Sequence, residues 1–172
     1  MPHGRPTRPA RRTGTAPLYT AEERRRRDAS PWTLVQGILA PAQFAIFAVS
    51  LVLVLRFLVT GEGYGLAAMS VVVKTGALLA IMVTGAIWEK AVFGRYLLAP
   101  AFFWEDVVSF AVIALHLGYV AALLGDLLAP TALMALALAA YAAYVVNAAQ
   151  FLLKLRRARL DAGTPAGDAV AA

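Results

Sequence analysis

The apolar residues of this chain are collected in four long runs, which short polar or glycine-containing stretches separate. Each run is close to the roughly 20 residues that an α-helix needs to cross the hydrocarbon core of a bilayer. Lipid offers no partner to a free backbone amide, so a crossing segment of this length is expected to be a helix. The pattern predicts an all-α integral membrane four-helix bundle over residues 30–160, with spans at about 37–59, 66–88, 107–125 and 131–153.

The two ends of the chain have a different composition. Residues 1–29 are rich in arginine, proline and threonine, and residues 161–172 carry mostly small side chains. Neither stretch can bury enough apolar surface to offset the entropy of ordering it. We predict a basic N-terminal tail that is mostly disordered and a disordered C-terminal tail.

Composition and charge narrow the class of protein. With 60% hydrophobic residues, 15% charged residues and a mean hydropathy of +0.68, the chain is too apolar for an ordinary soluble domain. The net charge of +6 lies in two clusters, before the first span and after the last, which argues against nucleic-acid binding. Because basic residues favour the cytoplasmic side and the number of spans is even, both termini are predicted to be cytoplasmic. The absence of cysteine excludes disulfides, thiolate zinc sites and a cysteine nucleophile.

Residues 89–106, between the second and third spans, mix charged with aromatic side chains. This composition is typical of an element at the level of the lipid headgroups. It brings three carboxyl groups, Glu89, Glu105 and Asp106, to the ends of two spans. They are either ordinary solvated groups, favoured in a first helical turn by the helix dipole, or a cluster in which one carboxyl against an apolar wall stays protonated as a general acid.

Ionisable side chains inside lipid are costly, so each one needs a reason. His116 lies near the middle of the third span, and helical spacing places Ser109 and Glu105 on the same face. It is either a packing residue bonded to a neighbouring helix, or a metal ligand or proton donor. Lys74 in the second span is interpreted as snorkelling toward the far membrane surface, and a salt link to a substrate carboxylate is the alternative.

Four amide side chains fall in the predicted cytoplasmic half of the bundle. They are Gln36 and Gln43 in the first span and Asn147 and Gln150 in the fourth. Hydrogen bonding between helices is the default role of such amides. Their depth matches that of the carboxyl groups, so they also suit the polar lining of a site.

Five strings along the chain are long and idiosyncratic. They are PLYTAEERRRRD (17–28), WTLVQGILAPAQF (32–44), VTGAIWEKAVFGRY (83–96), APAFFWED (99–106) and NAAQF (147–151). These strings resemble the 3-vinyl (bacterio)chlorophyllide hydratase family of phototrophic bacteria, which includes the 2-vinyl bacteriochlorophyllide hydratases of bacteriochlorophyll biosynthesis. The resemblance extends over roughly residues 17–160.

The resemblance implies a hydro-lyase that adds water across the C3 vinyl group of chlorophyllide a or 3-vinyl bacteriochlorophyllide and leaves a 1-hydroxyethyl group. It implies a chlorophyllide-type tetrapyrrole as substrate and no cofactor of the protein's own, since the magnesium belongs to the substrate. It also implies a place in the bacterial inner, photosynthetic intracytoplasmic membrane, in contact with lipid and in reach of other pigment-biosynthesis enzymes. It does not fix the oligomeric state.

On this hypothesis, the predicted catalytic residues are Glu89, Glu105, Asp106 and His116. Glu105 or Glu89 is the acid, and Asp106 or His116 positions the water. His116 is alternatively the axial ligand of the substrate's magnesium. The other predicted substrate contacts are an apolar slot, cations for the free propionate and two lining amides: Trp88, Phe102, Phe103, Trp104, Lys90, Arg95, Asn147 and Gln150.

Two other functions remain open on the sequence. A non-catalytic pigment carrier or assembly factor would hold a chlorophyllide through His116 and leave its vinyl group unchanged. A small transporter would use Lys74 or His116 on its pathway. The absence of visible internal repeats and the aromatic segment 89–106 argue against the transporter.

Overall fold

A computed structural model describes residues 18–162, with side chains described through residue 160, and none of these residues lies in a strand. The helices are α1 (Ala21–Ala29), α2 (Pro31–Thr60), α3 (Tyr64–Phe93), α4 (Phe103–Leu124) and α5 (Pro130–Ala162). In length and composition, α2 to α5 are each able to cross a membrane. The prediction of an all-α membrane protein with four spanning helices is confirmed.

Local sequence explains where the long helices begin and end. Pro31 occupies the first turn of α2, where its missing N–H costs no hydrogen bond. Gly61 ends α2 and Gly94 ends α3, with φ angles of 75° and 81° that a side chain would resist. The spanning helices are joined by short connections, and consecutive spanning helices run antiparallel.

The helices pair along the bundle, α2 mainly with α3 and α4 mainly with α5. Hydrogen bonds fix the antiparallel register, because Gln36 Nε2 near the start of α2 donates to Thr84 Oγ1 near the end of α3 at 2.7 Å. The start of α2, the end of α3, the start of α4 and the end of α5 thus meet at one end. We call it the basic end, because the arginines of α1 and those at the end of α5 lie there.

The interior of the bundle contains both apolar and polar side chains. Val54, Val71, Val112 and Met134 are fully buried, and Ser50 joins three helices by hydrogen bonding with Ser70 at 2.6 Å and Tyr141 at 2.5 Å. Large apolar side chains also cover the outside. This distribution is expected where lipid surrounds the helices, because both faces of a spanning helix are then in an apolar medium.

The N-terminal region departs from the prediction. Residues 1–17, where most of the predicted disorder falls, lie outside the described residues, whereas Ala21–Ala29 form a helix that was not predicted. Thr20 and Glu23 form a reciprocal capping box, in which each side chain accepts a hydrogen bond from the backbone N–H of the other. The spacing of Thr20 and Glu23 is the sequence signal for the start of this helix. The high charge of the region indicated disorder instead. Of the predicted disordered residues 161–172, residues 163–172 lie outside the described part, whereas α5 continues through Ala162.

The segment 89–106 is not a separate element. It consists of the last turn of α3, a connecting loop of residues 94–102, and the first turn of α4. Two helix ends and one loop therefore meet at the basic end, and their polar side chains face each other.

Candidate functional site

Glu89 and Asp106 form the centre of a polar cluster at the basic end. Their carboxyl groups lie side by side, close enough to interact directly. Glu89 is 5% exposed and Asp106 is 3% exposed, although both are carboxylic acids. Two carboxylates held next to each other away from water repel, so the pair is favoured when it holds one proton.

The loop between α3 and α4 orients these two carboxyl groups through successive backbone amides. Leu98 N–H donates to Asp106 Oδ2 at 2.7 Å, and Ala99 N–H donates to Glu89 Oε2 at 3.2 Å. Leu98 adopts a φ of 58°, a left-handed conformation that leucine rarely takes. Both carboxyl groups are therefore fixed from the same side by a strained turn, as is common at functional sites.

Glu105 belongs to the same end of the bundle but has a different partner. Lys154 Nζ on α5 donates to Glu105 Oε2 at 2.5 Å, and lies 5.1 Å from the centre of the Phe102 ring. In the sequence, Lys154 is one of the basic residues after the last span, which predict the orientation of the chain in the membrane. Its position at the end of a long helix gave no indication that it pairs inward.

Amide and hydroxyl groups continue the polar lining into the bundle. Asn147 Nδ2 donates to Ser109 Oγ at 2.8 Å. The oxygens Oδ1 of Asn147 and Oε1 of Gln150 are buried and have no hydrogen-bond partner among the described residues. The lining role predicted for these two amides stays a prediction, and their unpaired oxygens are available for water or a ligand.

Aromatic side chains pack next to the carboxyl cluster. Phe102 is buried, with its ring centre 5.7 Å from that of Trp88 and 5.8 Å from that of Phe151, which stacks on it. Tyr19, which precedes α1, stacks on Phe93 at 5.8 Å, and burial raises the pKa of its hydroxyl. We call these five rings the aromatic cluster. Tyr19 and Phe151 were not predicted, because both are far in sequence from segment 89–106.

Two predicted slot residues are not part of this cluster. Phe103 is 41% exposed and Trp104 is 70% exposed, and they contact each other on the outside of α4. The expectation that they wall the same slot as Phe102 is wrong. Neighbouring residues of a helix point about 100° apart, so three consecutive aromatic residues cannot all face the interior.

The two predicted cations are on the surface. Lys90 and Arg95 are both exposed, and Lys90 Nζ donates to the carbonyl oxygen of Gly94 at 2.8 Å. Their side chains lie beside the loop and not among the buried groups. They remain accessible to a charged substituent at the membrane surface.

His116 does not join the carboxyl cluster. It lies ten residues beyond Asp106 on α4, which corresponds to about 15 Å along the helix axis. It is fully buried, and its Nδ1 donates to the carbonyl oxygen of Val112 at 2.8 Å. Its Nε2 is therefore left with a lone pair and has no partner among the described residues.

Lys74 corrects another expectation. It is 0% exposed, and its Nζ lies 3.7 Å from the centre of the Tyr144 ring, with no hydrogen-bond partner among the described residues. The interpretation of Lys74 as snorkelling outward is wrong, because the side chain points into the bundle. Helical position alone does not say which way a long side chain turns.

The described residues contain no group of three or more His, Asp or Glu side chains arranged to hold a metal ion. The chemistry that the basic end can offer is that of proton transfer and hydrogen bonding. It combines two oriented carboxyl groups that lie side by side, an ion pair, unpaired amide oxygens and an aromatic wall.

Comparison with known proteins identifies the family. The sequence profile of the 2-vinyl bacteriochlorophyllide hydratases matches residues 19–157. A 2-vinyl bacteriochlorophyllide hydratase of Rhodobacter capsulatus is 62% identical over 165 residues, which cover 95% of this chain and 92% of the relative. One from Cereibacter sphaeroides is 66% identical over 145 residues, which cover 84% and 89%. No solved structure matches the chain. The chain belongs to the 2-vinyl bacteriochlorophyllide hydratase family.

Proposed function

We propose that this protein adds water across the vinyl group of chlorophyllide a or vinyl bacteriochlorophyllide and forms the 1-hydroxyethyl product. The family and two relatives that carry this name support the reaction. The single structural observation that carries the mechanism is the buried pairing of the Glu89 and Asp106 carboxyl groups. It keeps an acidic proton at the membrane surface without a redox cofactor.

The reaction begins with protonation of the terminal vinyl carbon. The Glu89–Asp106 pair supplies the proton, and the positive charge that forms on the inner carbon is delocalised into the macrocycle. Water then adds to that carbon and loses a proton, which returns to the carboxyl pair. The catalyst is thus restored, and the loop amides of Leu98 and Ala99 stabilise the negative charge that the pair carries between the two steps.

The aromatic cluster provides the surface for a flat ring. Phe102 and Trp88 lie next to the carboxyl pair, so a tetrapyrrole stacked on them brings its edge toward the acid. Burial of Glu89 and Asp106 requires the loop or α1 to move when substrate enters. Glu105, held by Lys154, and the free oxygens of Asn147 and Gln150 are proposed to orient the water.

His116 is proposed to act away from the reacting carbon. Its Nε2 lone pair suits the axial position of the substrate's magnesium if the macrocycle enters the bundle. The distance of about 15 Å along α4 argues against a role in positioning water beside Asp106. Lys90 and Arg95, which the sequence predicts as contacts for the free carboxylate of the pigment, are exposed beside the loop. The basic end is proposed to face the cytoplasm of the bacterial inner membrane, where other pigment-biosynthesis enzymes are accessible.

The direct test is conversion of pigment. Membranes that contain the expressed chain are incubated with vinyl chlorophyllide, and products are identified by chromatography and mass spectrometry. We expect a gain of one water molecule and loss of the vinyl signal. The matched control is Asp126→Asn, because Asp126 lies on the opposite end of the bundle and its left-handed backbone accepts asparagine. Pigment recovered unchanged from the wild-type protein would refute hydration.

A pigment carrier is the second candidate, and the unpaired Nε2 of His116 favours it. A carrier would bind about one pigment per chain and return it with the vinyl group intact. The same mass measurement on protein-bound pigment separates the two functions.

A further inference from the structure

The four arginines of α1 differ in their partners. Arg25 and Arg26 both pair with Glu22, at 2.6 and 3.2 Å, and Arg27 pairs with the aspartate that follows it, at 2.7 Å. Arg24 is the one that forms no ion pair with any residue in the described part of the chain. Its charge is free to bind an anion that the protein itself does not supply.

Arg24 is half-buried, as is Arg27, and of these two only Arg24 lines a groove of about 380 Å³. The groove is lined by Tyr19, Thr20, Ala21, Arg24, Arg25 and Asp28. The other charged lining groups are already paired within α1. The Arg27 guanidinium lies 4.9 Å from the centre of the Tyr19 ring but is paired with Asp28, so the unpaired positive charge of the groove is that of Arg24.

The groove shares a wall with the aromatic cluster. Tyr19 lines the groove and also stacks on Phe93, 5.8 Å away, with Phe102 at 6.4 Å. The Tyr19 hydroxyl is buried and has no hydrogen-bond partner among the described residues. A flat pigment placed on the aromatic cluster therefore has a cationic groove within reach of its edge.

We propose that Arg24 binds the free carboxylate of the pigment and selects the unesterified substrate over its esters. This inference rests on the proposed function. A guanidinium donates two parallel hydrogen bonds to a carboxylate, whereas an ester has neither the charge nor the second equivalent oxygen. Arg24 is better placed for this role than Lys90, which already donates to a carbonyl oxygen, or Arg95, which is exposed on the loop.

The test compares the free-acid pigment with its methyl ester as substrates of the full-length protein in neutral detergent. The variant is Arg24→Gln, and the matched control is Arg26→Gln, an exposed arginine of the same helix that is paired with Glu22. We expect the wild type and R26Q to prefer the acid by about tenfold in kcat/KM. We expect R24Q to lose this preference through a higher KM for the acid, with kcat and the ester values unchanged.

Other outcomes overturn the inference. If R24Q keeps the preference for the acid, or if Lys90→Gln or Arg95→Gln abolishes it instead, the carboxylate binds elsewhere.

An anionic lipid headgroup offers the same chemistry as the pigment carboxylate. If R24Q is impaired equally with the acid and the ester, and only in vesicles that contain anionic lipid, then Arg24 binds a lipid headgroup and not the pigment. Hydration without acid preference in the wild type overturns this inference alone, whereas no hydration of either substrate overturns the proposed function.

Discussion

Lys154 near the end of α5 donates to Glu105 in the first turn of α4 at 2.5 Å, and neither side chain is more than about a quarter exposed. This ion pair joins the two helices beside the carboxyl cluster. Removing either partner leaves a charge with little access to water, which is more costly than losing both. The pair therefore contributes to the position of the site as well as to its charge.

We expect Lys154→Met and Glu105→Gln each to destabilise the protein, by on the order of 2 kcal/mol, because one charge is left without its partner. The double variant is expected to recover part of this loss. Thermal unfolding in detergent, followed by circular dichroism, measures the coupling between the two sites. Additive losses in the double variant would show that the two residues do not interact.

We expect Glu89→Gln and Asp106→Asn to lower turnover by about 100-fold or more, since general acid catalysis contributes roughly that much. Either amide removes the acidic group while keeping its shape. Initial rates of pigment hydration in membranes are the measurement, with Asp126→Asn as the control at the opposite end. Near-normal rates in both variants would exclude this pair as the proton source.

We expect Phe102→Ala to reduce stability by roughly 3 kcal/mol, because a buried ring leaves a cavity. Trp104→Ala should change stability little, because Trp104 lies on the outside of α4 and is 70% exposed. Parallel melting curves of the two variants test the assignment of interior and exterior faces. A larger loss for Trp104 than for Phe102 would reverse that assignment.

We expect Lys74→Met to raise the melting temperature, because Lys74 is fully buried and its ammonium has no hydrogen-bond partner among the described residues. Methionine keeps the shape of the side chain without the charge. Lys74→Arg is the control that retains the charge. A lower melting temperature for the methionine variant would show that the contact between the Lys74 ammonium and the Tyr144 ring outweighs the cost of burying the charge.

We expect His116→Gln to retain most of the hydration rate, because His116 lies about 15 Å along α4 from Asp106. If His116 ligates the substrate's magnesium, the absorption bands of bound pigment will shift in this variant. Rates and spectra are measured on the same samples. Loss of turnover with unchanged spectra would show that His116 takes part in catalysis, as the sequence predicted.

The four spans and their ends could be read from the sequence, because the length of an apolar run and the turn preferences of glycine and proline are local properties. The sequence also brought the carboxyl groups of segment 89–106 to one end of the bundle. It indicated the family through strings such as residues 83–96. Each of these conclusions depends on neighbours in the chain and not on packing.

Only the tertiary structure decided which side chains face each other. Glu89 meets Asp106, Lys154 meets Glu105 and Tyr19 reaches Phe93, while Trp104 points outward and Lys74 inward. In lipid, the inner and outer faces of a helix are both apolar, so hydrophobic periodicity does not reveal how the helix is rotated. That rotation is set by packing between helices, which the sequence of a single helix does not contain.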